Sequence, residues 1–194
     1  MAQRQQQTRK PRLTARDWAD AALTAIREGG LAAVAVEPLA TRLGTTKGSF
    51  YWHFTNREAL IEAALARWVE SNTDEIIATV ETEPDAGRRL RALFHRVTKP
   101  GAADPLELSL LASTDHPQVA AALRQVTERR IGYLTGLFAE LGFGEEEARE
   151  RGLMAYSFYL GHSQLGHAVP GVLPSTREFP AYLEGAVGTL LRRD

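Results

Sequence analysis

The feature that most constrains this chain is a set of helix stops packed close together near its N-terminus. Between Thr14 and Leu60 apolar residues recur at helical spacing, and short turns break the pattern at Gly29-Gly30, at Gly44 and around Thr55. Thr14-x-x-Asp17 opens the first helix like a capping box: the threonine accepts from free amides and the acid sits at the positive helix end. Trp18, Ala22, Ala25 and Ile26 form its stripe, and the glycine pair ends it. A second helix is predicted over Glu37 to Leu43, with Pro38 tolerated in its first turn. Thr46 is expected to cap a third, from Lys47 to Phe54. Thr55-x-x-Glu58 reads as a second capping box, opening a long helix to about Val80. Such punctuation forces three short helices together through tight turns.

The remainder is also helical. Helices are predicted at about 85–98, 106–112, from near Pro117 to Leu141, from Glu145 to before Pro170, and from about Phe179 to Arg192. No run of alternating β-branched residues interrupts them. The fold class is therefore all-α, with about nine helices. Three segments are expected: a disordered basic tail (1–13), a compact helical head (14–60) and a larger body (61–194). Arg129-Arg130 and Glu145-Glu146-Glu147 read as solvated faces.

Charge divides the chain along the same boundary. The net charge is -1, yet residues 1–60 hold nine Lys/Arg against five Asp/Glu, whereas residues 61–194 hold fourteen against nineteen. Arg4, Arg9, Lys10, Arg12 and Arg16 precede the first acid. A polyanion partner is thus expected for the first part only. With no cysteine there are no disulfides or thiolate metal sites. No apolar run reaches the roughly 18 residues of a membrane span, and the basic N-terminus is not followed by the apolar stretch of a secretory signal. A cytoplasmic protein without membrane contact is expected.

The stretch Gly44-Thr45-Thr46-Lys47-Gly48-Ser49-Phe50-Tyr51-Trp52-His53-Phe54 carries the functional signal. As a helix of two turns, Phe50 and Phe54 share one face and pin it to the bundle. Lys47, Ser49, Tyr51, Trp52 and His53 spread over the rest. Two aromatics and a histidine on an outward arc are costly to leave in water without a partner. Gly48 permits a close approach. Hydrogen-bonding tips, rings for thymine methyls and cations for phosphate are what a helix in the DNA major groove needs. Core packing of the same aromatics is the competing reading.

Ala21-Ala22-Leu23, Gly30, Leu39-Ala40, Gly44, Lys47-Gly48-Ser49, Tyr51-Trp52-His53-Phe54 and Arg57-Glu58-Ala59-Leu60 together resemble the N-terminal signature of the TetR-type transcriptional regulators. The resemblance covers about residues 14–65. It implies a helix-turn-helix head that binds double-stranded operator DNA through Thr46, Lys47, Ser49, Tyr51, Trp52, His53 and Arg57. Arg57 stands where the family usually has a phosphate-gripping lysine, Ala35 where it commonly has a threonine cap, and Thr45 where valine is usual. The resemblance further implies a ligand-responsive repressor, not an enzyme, whose long helix joins the head to a ligand-binding and dimerisation bundle. It implies a homodimer through the last two helices, where Gly161, Gly166, Ala168, Gly185, Ala186 and Gly188 are small. A cavity for an unidentified small-molecule effector would draw its lining from Trp68, Phe94, His95, Tyr133, Tyr156, Phe158, Tyr159 and His162. His162 and His167 are five apart and make poor joint metal ligands; no cofactor is expected. Two rival classes remain. An enzyme is disfavoured by the lack of a Gly-rich phosphate loop, H-E-x-x-H or G-x-S-x-G pattern. A helical adaptor binding protein through Tyr51-Trp52-His53 would bind without the steep salt dependence of DNA.

Overall fold

The computed structural model describes residues 13–102 and 104–193, so the tail expectation for 1–13 falls almost entirely outside the described residues. Ten α-helices occur in this order: α1 (Ala15–Gly29), α2 (Val36–Arg42), α3 (Lys47–Phe50), α4 (Arg57–Val69), α5 (Glu75–Val80), α6 (Ala86–Thr98), α7 (Pro105–Leu111), α8 (Pro117–Glu140), α9 (Glu145–Ala168) and α10 (Phe179–Leu191). A π turn, Glu70–Asp74, joins α4 to α5 in one continuous rod, which leaves nine helical rods among the described residues.

Capping chemistry sets most of the boundaries. Thr14 Oγ1 accepts from Asp17 N at 3.2 Å while Thr14 N donates to Asp17 Oδ2 at 2.7 Å, the reciprocal bonds of a capping box. The cap of α4 lies one residue later than Thr55: Asn56 Oδ1 accepts from Ala59 N at 2.8 Å, since asparagine caps at least as well as threonine. At the end of α2, Gly44 (φ 62°) donates to Thr41 O and Thr45 N donates to Ala40 O, the two bonds of a left-handed helix stop.

Two predicted helices differ in detail. The third is one α-turn, Lys47–Phe50, continued by turn residues Tyr51 to His53, rather than a two-turn helix. The run of rings from Phe50 to Phe54 loses side-chain freedom against a preceding helical turn, and Thr46 makes no side-chain cap bond to hold it. The long helix to Val80 loses α-geometry at Ser71-Asn72-Thr73, whose short polar side chains compete for backbone groups; Ser71 Oγ donates to Arg67 O at 2.9 Å. Arg67 brackets this π turn with bonds to Glu70 (2.9 Å) and Glu75 (3.1 Å).

Two apolar cores result. The first packs Trp18, Ile26, Leu39, Phe50, Leu60, Ile61 and Trp68 with Leu106, Leu110, Val119 and Val126, so α7 and the start of α8 seat the head. The second packs Leu90, Phe94, Leu134, Leu137, Phe138, Tyr156, Leu183 and Val187. In the second, α8 and α9 approach closely at Gly152, where an added Cβ would lie 2.6 Å from Thr135 Oγ1 and 3.0 Å from Thr135 N.

Candidate nucleic-acid interface and interior cavity

Phe50 is the anchor of the exposed arc. It is fully buried, meets Trp18 edge-on at 5.4 Å and stacks on Phe54 at 5.6 Å. With that face pinned, the following turn must point outward: Tyr51 is 57% exposed and Trp52 81%. Thr46 and Lys47 are exposed, while Ser49 and His53 are half-buried. These six residues form one contiguous surface. A Cβ on Gly48 would meet only Thr46 Oγ1, at an ordinary 3.6 Å. Nothing among the described residues demands glycine there, so its smallness leaves room for an external partner.

The electrostatics of this head are quieter than its sequence suggests. Lys47 Nζ pairs with Glu37 at 2.9 Å, which holds the lysine pKa above its ordinary value. Arg42 pairs with Glu28, and Arg27 with Asp104 at 3.1 Å. Residues 13–60 carry five basic and five acidic side chains; the head's excess of +4 resides in Arg4, Arg9, Lys10 and Arg12, which lie outside the described residues.

Arg57 stands apart from the exposed arc. Its Nε donates to Val34 O and its NH2 to Leu31 O, both at 2.7 Å, so its guanidinium ties down the turn between α1 and α2. That turn leads into α2 without a side-chain cap, because Ala35 has none to offer.

In the body, the π turn and helices α5 to α9 line a cavity of about 170 Å³ that is partly open to solvent. Phe94, Tyr133, Tyr156 and Tyr159 line it, four of the expected rings. Trp68, His95 and His162 do not. Trp68 belongs to the head core, His95 is exposed against Phe179, and His162 is buried between Thr98 O (2.7 Å) and Tyr182 Oη (3.4 Å). Phe158 packs on Phe94 behind the wall.

The polar end of the cavity comes from residues that spacing alone did not select. Arg130, expected on a solvated face, keeps only 13% of its side chain exposed, whereas its neighbour Arg129 is exposed. Arg130 NH1 donates to Glu107 Oε1 at 2.7 Å, Nε to Thr73 Oγ1 at 3.1 Å and NH2 to Asn72 O at 3.1 Å. Tyr159 Oη donates to Glu107 Oε2 at 2.8 Å, and burial with this carboxylate beside it pushes the phenol's pKa up strongly. Asp104 accepts from Arg27 of α1, from Asn72 Nδ2 at 3.1 Å and from Leu106 N at 2.9 Å. Burial alone would raise its pKa, but these donors outweigh it and hold the carboxyl below its ordinary value. Asp104 therefore touches the cavity, the π turn and the head at once.

Helix α9 exposes Leu153, Met154 and Leu165, and Val169 and Val172, which follow it in the chain, are exposed as well. Gly161, Gly185 and Gly188 have open space at their Cβ positions. No helix among the described residues is long and apolar enough to cross a membrane.

Comparison with known proteins agrees with this geometry. Residues 19–64, which span α1 to α4, match the family described as bacterial regulatory proteins, tetR family. The HTH-type transcriptional regulator BetI of Klebsiella pneumoniae (strain 342) is 29% identical over 141 residues, 69% of this chain and 71% of that protein. BetI of Escherichia coli (strain K12) is 28% identical over the same shares. Among solved structures, a transcriptional regulator from Rhodococcus sp. Rha1 superposes with a TM-score of 0.71 at 20% identity, covering 92% of this chain and 94% of that one. A regulator from Saccharomonospora viridis in complex with choline gives 0.70 at 21% identity, covering 90% and 95%. Over residues 19–64 the chain is thus similar to the tetR family of bacterial regulatory proteins, over about two thirds of its length to the HTH-type transcriptional regulator BetI, and in fold to solved transcriptional regulators.

Proposed function

We propose that the protein is a homodimeric, ligand-responsive repressor that binds a near-palindromic operator and is released from it by a small molecule. The observation that carries this reading is Asp104, which is shared between the cavity wall and Arg27 of the DNA-binding head. A molecule that alters the packing of Asp104, Asn72 or Thr73 acts on groups already bonded to the head and to the connecting rod. If it favours one spacing of the two heads over another, the population shifts away from DNA.

Thr46, Lys47, Ser49, Tyr51, Trp52 and His53 are the groove-facing set on this reading. Arg57 serves them indirectly, by fixing the turn on which α2 and α3 rest. The exposed apolar face of α9 and the open glycines of α9 and α10 support a twofold contact between two copies. Two heads related in this way read half-sites about one helical turn of DNA apart, roughly 34 Å, or a multiple of it. The choline complex of the S. viridis regulator supports a small-molecule partner for a protein of this fold.

Selection of bound sites from random DNA, followed by a metabolite screen on the selected site, tests the proposal. An inverted repeat and at least one compound that lowers site affinity are expected. A non-symmetric site, or an affinity that no compound alters, would overturn it.

A further inference from the structure

Resting on the reading that the interior cavity is the effector site, we propose that it takes an uncharged, ring-sized apolar molecule, and that Arg130 keeps quaternary ammonium compounds out of it. The chain fills its own cation cage. The Arg130 guanidinium carbon lies 6.0 Å from the Trp68 ring centroid and 5.6 Å from that of Tyr159, with Glu107 bonded at 2.7 Å. Aromatic faces and a buried carboxylate are what a trimethylammonium group needs. Here an internal cation already uses them.

The buried carboxylates are equally committed. Glu107 spends one oxygen on Arg130 and the other on Tyr159. Asp104 is held by Arg27, Asn72 and the amide of Leu106. Arg130 with Glu107, and Arg27 with Asp104, make two neutral pairs, and Arg96, the last charged lining residue, is exposed. An added cation meets Arg130 and an added anion meets Glu107 and Asp104, so either one is buried without a free partner, which is strongly unfavourable. The rest of the wall is largely apolar, with Ile76, Ile77, Leu93, Phe94 and Leu134, and its one unpartnered buried polar atom among the described residues is the uncharged Tyr133 hydroxyl. Its volume of about 170 Å³ is close to the roughly 150 Å³ of a dry protein cavity that accepts benzene.

The test compares toluene, p-cresol, choline and benzoate on the full chain, by isothermal titration and by the shift in Tm. Toluene or p-cresol should bind saturably and raise Tm, and a Leu93→Trp variant, which fills the cavity, should lose that shift. Choline and benzoate at the same concentration should do neither. Arg130→Gln empties the cage and should gain choline affinity by about tenfold or more over wild type. If that variant does not fold, the four-probe comparison on wild type decides alone. Choline or benzoate binding to wild type as well as the arenes do would overturn the proposal, and so would a folded Arg130→Gln protein with no gain. If none of the four binds while another compound still releases DNA, the ligand class is wrong and the ligand-responsive reading stands.

Discussion

Arg57 and Arg130 are both drawn from solvent, by different causes and with different consequences. Arg57 gives two charge-assisted hydrogen bonds to backbone carbonyls, Val34 O and Leu31 O, the latter of which also accepts from Val34 N. Arg57→Ala should therefore destabilise the fold by about 2 kcal/mol, read from the urea midpoint, because a bond from a charged donor contributes about 1.5–3 kcal/mol. A second residue-scale effect follows from Gly152. A methyl there meets the Thr135 backbone, which cannot swing aside, so Gly152→Ala should cost about 1–3 kcal/mol by overpacking, seen as a lower Tm. Asp104 gives a pH dependence. Its folded pKa lies below the ordinary value of 3.8, so its bond network contributes above that value and is lost as pH falls through the folded pKa. An Asp104→Asn variant should accordingly lose less stability than wild type as pH is lowered from about 5 to about 3 in urea unfolding series.

The helices show which sequence signals translate into structure. Local signals did: the Thr14 capping box, the Gly44 stop and the apolar stripes of α1, α6 and α8 appear where their residue types require. Signals one residue apart did not separate, so the cap of α4 fell on Asn56 rather than Thr55. Two caps give a matched prediction. Asn56→Ala should lose about 1 kcal/mol of stability, whereas Thr46→Ala, which removes no cap bond, should leave the urea midpoint unchanged. The π turn and the Arg130–Glu107 pair were not legible, because both depend on partners brought from distant parts of the chain. Arg130 is buried only because Asn72, Thr73 and Glu107 converge on it. Helical spacing explains part of the lining: Phe94 faces inward, and one residue on, about 100° round the helix, His95 faces out. Trp68 reads as a cavity ring until α4 is seen to turn it into the head core.

At the scale of the whole molecule, a head with balanced charge sits on an acidic body, and the basic excess lies in the first twelve residues. Removing residues 1–12 deletes four cations per chain. If those cations neutralise phosphates, the slope of log affinity against log salt should become shallower by up to about 3.6 per chain, measured by anisotropy across a salt series. If the surface from Thr46 to His53, held out by buried Phe50, reads DNA sequence, its loss must show as lost discrimination between sites. The most direct test is the ratio of affinities for the selected operator and for unrelated duplex, compared between wild type and Tyr51→Ala by fluorescence anisotropy at one salt concentration. Tyr51 is exposed, so the variant should fold normally. The ratio should fall by about fivefold to 150-fold, the equivalent of about 1–3 kcal/mol for a lost base contact, with affinity for unrelated duplex little changed. An unchanged ratio in a folded Tyr51→Ala protein would contradict a sequence-reading role for this surface.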